Sequence, residues 1–106
     1  TLEAIAGFVR ERDWEQYHNP KKLVMAVASE AGELLDVFRW LHTEEADEVR
    51  EDPEKMRQVE DEMADVAICL LMLCDRLDID FFAAIERKLE ENRQKYPVDE
   101  VKGRHT

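Results

Sequence analysis

Four acidic residues carry the chemistry that this sequence could perform. Glu30 and Glu33 lie three residues apart in one segment, and Glu62 and Asp65 repeat that spacing in another. Side chains three apart project from neighbouring turns of one helical face, so each pair can grip one cation from one side. Two helices presenting such pairs to each other would build a four-carboxylate oxygen cage. Oxygen ligands select hard ions, Mg²⁺ first and Mn²⁺ as its substitute. No histidine or cysteine with ligand spacing accompanies the acids, which argues against zinc. A polyphosphate suits such a site, because a divalent ion neutralises phosphate charge and lowers the pKa of an attacking water. Glu33 or Glu62 is then placed to take the proton from that water.

Spacing alone is a weak signal. With 26 acidic residues in 106, roughly six i, i+3 acid pairs arise by chance under the helical neighbour rule. Glu33 and Asp65 by themselves read equally well as solvated helix faces. Glu30 and Glu62 differ because they interrupt apolar stripes. Leu23, Val27, Leu34, Val37 and Leu41 recur at three- and four-residue steps, and Glu30 falls near the middle of that stripe. Glu62 sits on the edge of the stripe running through Val59 to Leu77. A carboxylate facing a core needs a pairing partner, hydrogen bonds or a cation. The alternative to a metal is therefore a salt-bridged structural acid.

Other residues could complete a nucleotide site. Lys88, Asn92 and Lys95/Tyr96 follow one another at helical steps and form a face able to hold non-bridging phosphate oxygens. Lysine near a helix C-terminus also complements the macrodipole, and for Lys95 that reading is preferred. Trp14 precedes the break after the first helix, and Trp40 lies off the main apolar stripe of the second but on its Glu33 side. They are either interface residues or stacking walls for a nucleobase, a contact worth about 1–3 kcal/mol per base. His18 and Tyr17 could add hydrogen bonds beside Trp14.

The elements that must position these groups are helical. The chain is 44% hydrophobic and 39% charged with three glycines and three prolines, which suits one all-α domain. Helices are expected over about Leu2–Tyr17, Pro20–His42, Pro53–Leu77 and Phe81–Tyr96. Asn19-Pro20 and Asp52-Pro53 supply cap-plus-proline starts, Asp80 caps the fourth helix, and Pro97 ends it. Thr43–Glu54 reads as an acidic loop with one helical turn. Residues 1–97 thus form the domain and 98–106 a frayed tail. The run Val66 to Cys74 is apolar at nine consecutive positions, so the third helix must be covered on every side. Three other helices of a short chain hardly suffice, which predicts a homo-oligomer, at least a dimer. Cys69 and Cys74, roughly 140° apart on a helix, read as buried free thiols of a reducing compartment. The formal charge of −11 argues against binding nucleic acid or an anionic membrane. No run is long and apolar enough to span a bilayer, and no signal-like start is present, so a cytoplasmic location is expected.

The blocks ERDWEQYHNPKKL, SEAGELLDVFRW, EDEMADVAICLL and ENRQKYP, in that order, resemble the all-α nucleoside triphosphate pyrophosphohydrolases of the MazG type, most of all the dCTP pyrophosphatase branch. The resemblance covers about Leu2 to Pro97. It implies a four-helix MazG-like bundle completed by oligomerisation, a dimer of dimers, with sites built from more than one subunit. It implies Mg²⁺-dependent cleavage of a nucleoside triphosphate between the α and β phosphates, giving the monophosphate and pyrophosphate, in the service of nucleotide-pool house-cleaning. The metal ligands of the family fall on Glu30, Glu33, Glu62 and Asp65, its phosphate contacts on Lys88 and Asn92, and its base-pocket aromatics on Trp14 and Trp40. The chain departs from the animal members in two places. Cys69 stands where they have a tyrosine, and Ile5 where they have a histidine, both near the base or phosphate. Cytosine preference is thereby an expectation shared with dATP or several dNTPs as alternatives. The other readings are a regulatory nucleotide-binding bundle without catalysis and a purely structural helical interaction module.

Overall fold

The computed structural model describes residues 1–98; the expected tail, apart from Val98, lies outside the described residues. Four α-helices account for most of the chain: α1 Leu2–Glu11, α2 Pro20–Phe38, α3 Pro53–Leu77 and α4 Phe81–Lys95. Two 3-10 segments, Glu15–Tyr17 and Thr43–Glu51, connect the first three, and no strand occurs among the described residues.

The helix starts follow from side-chain caps. Asn19 Oδ1 accepts from the Lys22 amide at 2.8 Å, and Pro20 opens α2 where no amide donor is needed. Asp52 Oδ1 accepts from the amides of Glu54 and Lys55 at 3.1 and 3.2 Å. Asp80 does the same for Ala83 at 3.0 Å. Each such cap contributes about 1 kcal/mol. α3 ends at Asp78, whose φ of 55° is left-handed, a conformation aspartate tolerates better than most residues.

Two helix ends differ from the sequence expectation. The first helix stops at Glu11 rather than Tyr17, because the chain reverses at Asp13 with φ 54°. Gln16 Nε2 donates to the Asp13 carbonyl and to Asp13 Oδ2 at 3.1 and 3.2 Å, local bonds that compete with the helical ladder. α2 stops at Phe38 rather than His42. There the His42 amide donates to Glu45 Oε1 at 3.2 Å, starting a nine-residue 3-10 run where a loop with one turn was expected.

α2 packs along α3, and α1 and the Thr43–Glu51 segment also lie against α3. α4 makes no comparable contact with any of them, so all four expected helices are present and the last is only loosely joined to the other three. Shape and surface agree with that. The radius of gyration is 17.3 Å, against about 13 Å for a compact domain of 100 residues. The accessible surface is 8789 Å², whereas about 6,200 Å² is normal for a folded 12.5 kDa chain. The core proper is small: Val9, Leu23, Val49 and Cys74. Ile68, inside the apolar run of α3, stays exposed, as do Phe82, Ile85 and Leu89 on α4 and Met25 and Leu35 on α2.

Candidate metal centre and nucleotide site

Packing of α2 on α3 brings the two acidic pairs together. One carboxylate oxygen from each of Glu30, Glu62 and Asp65 lies within 4.8 Å of the others. Glu30 and Glu62 are half-buried and Asp65 is exposed. Oε2 of Glu30 and Oε2 of Glu62 are buried with no hydrogen-bond partner. Burial, reinforced by the neighbouring Glu33 carboxylate and then by Asp65, pushes both carboxyls above their ordinary value. Glu33 is therefore beside both acids, although the tightest oxygen group comprises the other three.

No lysine, arginine or histidine forms an ion pair with any of these four acids among the described residues. The salt-bridged alternative thus has no partner among the described residues. Converging carboxylates, with one oxygen each of Glu30 and Glu62 buried and without a hydrogen-bond partner, fit a hard divalent cation in charge, donor type and spacing.

The remaining site residues fall into two groups. Cys69, one turn beyond Asp65, is half-buried. Burial, then the charges of Glu30 and Asp65, raise its thiol pKa, which places the sulfur beside the acids. Trp14 packs edge-on against Phe8 and His18, with ring centroids 5.5 and 6.2 Å away, and Arg12 lies 3.8 Å over the Phe8 ring. Trp40 is 82% exposed, with Arg39 5.1 Å from its ring centre.

Within one chain α4 packs at most weakly on the helices that carry the acids, and Lys88 forms no ion pair with those acids among the described residues. Lys88 Nζ pairs with Glu91 at 3.7 Å, Asn92 is half-buried, and Lys95 lies 5.4 Å from the Tyr96 ring centre. The sequence reading also passed over a cavity of about 190 Å³ between α1, the Glu15–Tyr17 turn and α3, rimmed by Arg10, Glu15, His18, Asp75 and Arg76. One signal pointed there: Arg76 continues the helical stripe of Glu62, Asp65, Cys69 and Met72.

The MazG-like family profile matches residues 25–106, and the chain belongs to that family. Among individual proteins it is similar to dCTP pyrophosphatase 1 of Rattus norvegicus, 38% identical over 97% of this chain and 63% of the relative. The Homo sapiens dCTP pyrophosphatase 1 is 38% identical over 92% of this chain and 60% of the relative. The chain thus spans less than two thirds of the length of these relatives. A crystal structure of a pyrophosphatase from Archaeoglobus fulgidus DSM 4304 superposes with a TM-score of 0.84 at 41% identity, covering 91% of this chain and 88% of that one.

Proposed function

We infer that the protein is a Mg²⁺-dependent nucleoside triphosphate pyrophosphohydrolase. Its substrates are deoxynucleotides, dCTP or a related or modified one, and its products are the monophosphate and pyrophosphate. The observation that carries this reading is the convergence of Glu30, Glu62 and Asp65 with two buried, partnerless oxygens. Similarity to dCTP pyrophosphatases and to an archaeal pyrophosphatase supports the reaction class.

Glu30, Glu62 and Asp65 would hold the ion, with Glu33 beside them. When bound, a divalent ion there would offset phosphate charge and polarise the phosphoryl groups. The other work falls to the chain. A water oxygen forms a bond to phosphorus at the α–β bridge while the bridging P–O bond breaks. The electron pair of that bond leaves with pyrophosphate. A Glu33 carboxylate oxygen accepts the proton of the attacking water, with Glu62 the other acid placed to do so. Trp14 and Trp40 give the base stacking surfaces.

The same reading assigns a homo-oligomer, a tetramer by resemblance. Support comes from the weakly packed α4 and the uncovered apolar surface of α3. A neighbouring subunit would cover these surfaces and bring Lys88, Asn92, Lys95 and Tyr96 of an α4 to the phosphates. The enzyme would act in the cytoplasm on surplus or altered nucleotides; no helix among the described residues is long and apolar enough to cross a membrane.

The test is a panel of canonical and modified dNTPs and NTPs assayed for pyrophosphate with Mg²⁺ and with chelator. Pyrophosphate and monophosphate, lost on chelation, are the expected products. Orthophosphate as first product would refute the assigned bond. Mg²⁺-dependent nucleotide binding with no product would establish the regulatory bundle instead.

A further inference from the structure

Trp14 is held in place by a construction at the end of α1 that the hydrolytic chemistry does not use. Phe8 and Arg12 stand four residues apart, neighbours on one helical face. Past the helix end the Arg12 amide bonds to the Val9 carbonyl at 3.3 Å. The Phe8 carbonyl accepts instead from Arg12 Nη1 at 3.1 Å, a side chain satisfying a helix-terminal acceptor. That bond lays the guanidinium 3.8 Å over the Phe8 ring centre. The chain then reverses at Asp13, with φ 54°, and the Trp14 amide reaches back to the Val9 carbonyl at 3.1 Å. The reversal sets the indole against Phe8, with ring centres 5.5 Å apart at 75°. His18 meets it at 6.2 Å and 60°, and the Arg12 guanidinium lies 6.0 Å from its centre.

These contacts restrict the indole without covering it. Edge-to-face rings and a cation over a ring are favourable only in particular orientations, so together they limit the torsions available to Trp14. Neither neighbouring ring lies parallel to the indole, and Trp14 stays 40% exposed. Room therefore remains for a flat group to stack on it. A side chain fixed before binding loses less freedom when its ligand arrives, which strengthens binding without any added contact.

We propose that Phe8 and Arg12 are positioning residues, which preset the Trp14 indole for stacking on the base and do not themselves touch the nucleotide. The proposal rests on the nucleotide-hydrolase reading, in which Trp14 is a stacking surface. Stacking on the base lies away from the reacting phosphates and is equal in the bound substrate and the transition state. Its loss therefore raises KM and leaves kcat nearly as it was. A merely structural role for the two residues would lower the melting temperature and leave KM alone.

The test uses the full chain in a W40F background, where Trp14 is the single indole. F8A, R12M, F8Y and W14A are compared for dCTP turnover with Mg²⁺ and, apart from W14A, for near-ultraviolet dichroism, with far-ultraviolet dichroism confirming the fold. F8A and R12M should each raise KM about 5- to 30-fold, from the loss of one ring or cation contact, with kcat changed less than about twofold. Both should weaken the near-ultraviolet band of Trp14, and F8Y, which keeps the ring, should retain band and KM alike. An unchanged KM and band in folded F8A and R12M, beside a raised KM in W14A, overturns the proposal. An unchanged KM in W14A removes the stacking role and the proposal with it. Failure of every dNTP to release pyrophosphate defeats the hydrolase reading instead. Quenching of Trp14 by dCMP then still decides the positioning: weaker in F8A supports it, and equal in F8A and its parent overturns it.

Discussion

Phe82 on α4 offers the sharpest test of the proposed assembly. Its side chain is 71% exposed in the single chain, and α4 makes at most weak contact with the other helices there. The chain carries 8789 Å² of surface, roughly 2,600 Å² more than a compact protein of its mass. A standard interface takes about 800 Å² from each partner, so the excess corresponds to more than one such contact per subunit. Complete burial of a phenylalanine contributes about 1.5–3 kcal/mol, and 71% of that is about 1–2 kcal/mol. A two-fold interface loses this twice on truncation, about 2–4 kcal/mol. F82A should therefore raise the subunit dissociation constant about 30- to 700-fold, at 1.4 kcal/mol per decade. Sedimentation equilibrium over a concentration series reads this directly, with pyrophosphate release followed in parallel. Activity per subunit should fall as the oligomer dissociates and return at high protein concentration. If F82A keeps the wild-type association constant, or if the dissociated chain turns over at the full rate, the argument from uncovered surface is wrong.

Further expectations concern the acids and the core. E62Q should lower pyrophosphate release about 10²- to 10⁴-fold while leaving the far-ultraviolet dichroism intact; near-normal turnover would remove Glu62 from the site. Burial and neighbouring acids hold the Glu30 and Glu62 carboxyls above their ordinary value in the metal-free fold. Their contribution to stability is thus fully present below the unfolded-state pKa and declines as pH rises through the raised folded-state values. Melting scans with chelator should show that decline across the carboxylate range. Added Mg²⁺ binds the ionised form of the native state and should raise the melting temperature most at the higher pH; the same Mg²⁺ shift at every pH would contradict the assignment. L23A, at a position only 3% exposed, should cost about 2–5 kcal/mol in urea unfolding. A loss under about 1 kcal/mol would show that Leu23 is not central to the α2–α3 contact.

Much of the helical framework follows from local chemistry. Asn19-Pro20 and Asp52-Pro53 fixed the starts of α2 and α3 because a capping oxygen and a proline at the first helical position act within three residues. Glu30 and Glu62 were legible as anomalies because helical periodicity shows which face they share with leucines and valines. The ends of α1 and α2 were not legible in the same way. Asp13 and Gln16 close a turn that periodicity does not register, and the Glu45 carboxylate receives the His42 amide across a break that apolar spacing runs straight through.

Which groups actually meet was decided by tertiary packing. Spacing made Glu30/Glu33 and Glu62/Asp65 two separate pairs among many equally spaced acids. Only the docking of α2 on α3 left two of their oxygens buried without partners, since convergence depends on helix orientation and not on position within a helix. Packing likewise set α4 apart from the other helices, because an amphipathic stripe records that a face needs covering and not what covers it. The charged rim of the α1–α3 cavity comes from residues up to 66 positions apart in sequence, Arg10 to Arg76. No local pattern connects them, and only the folded chain places them around one space.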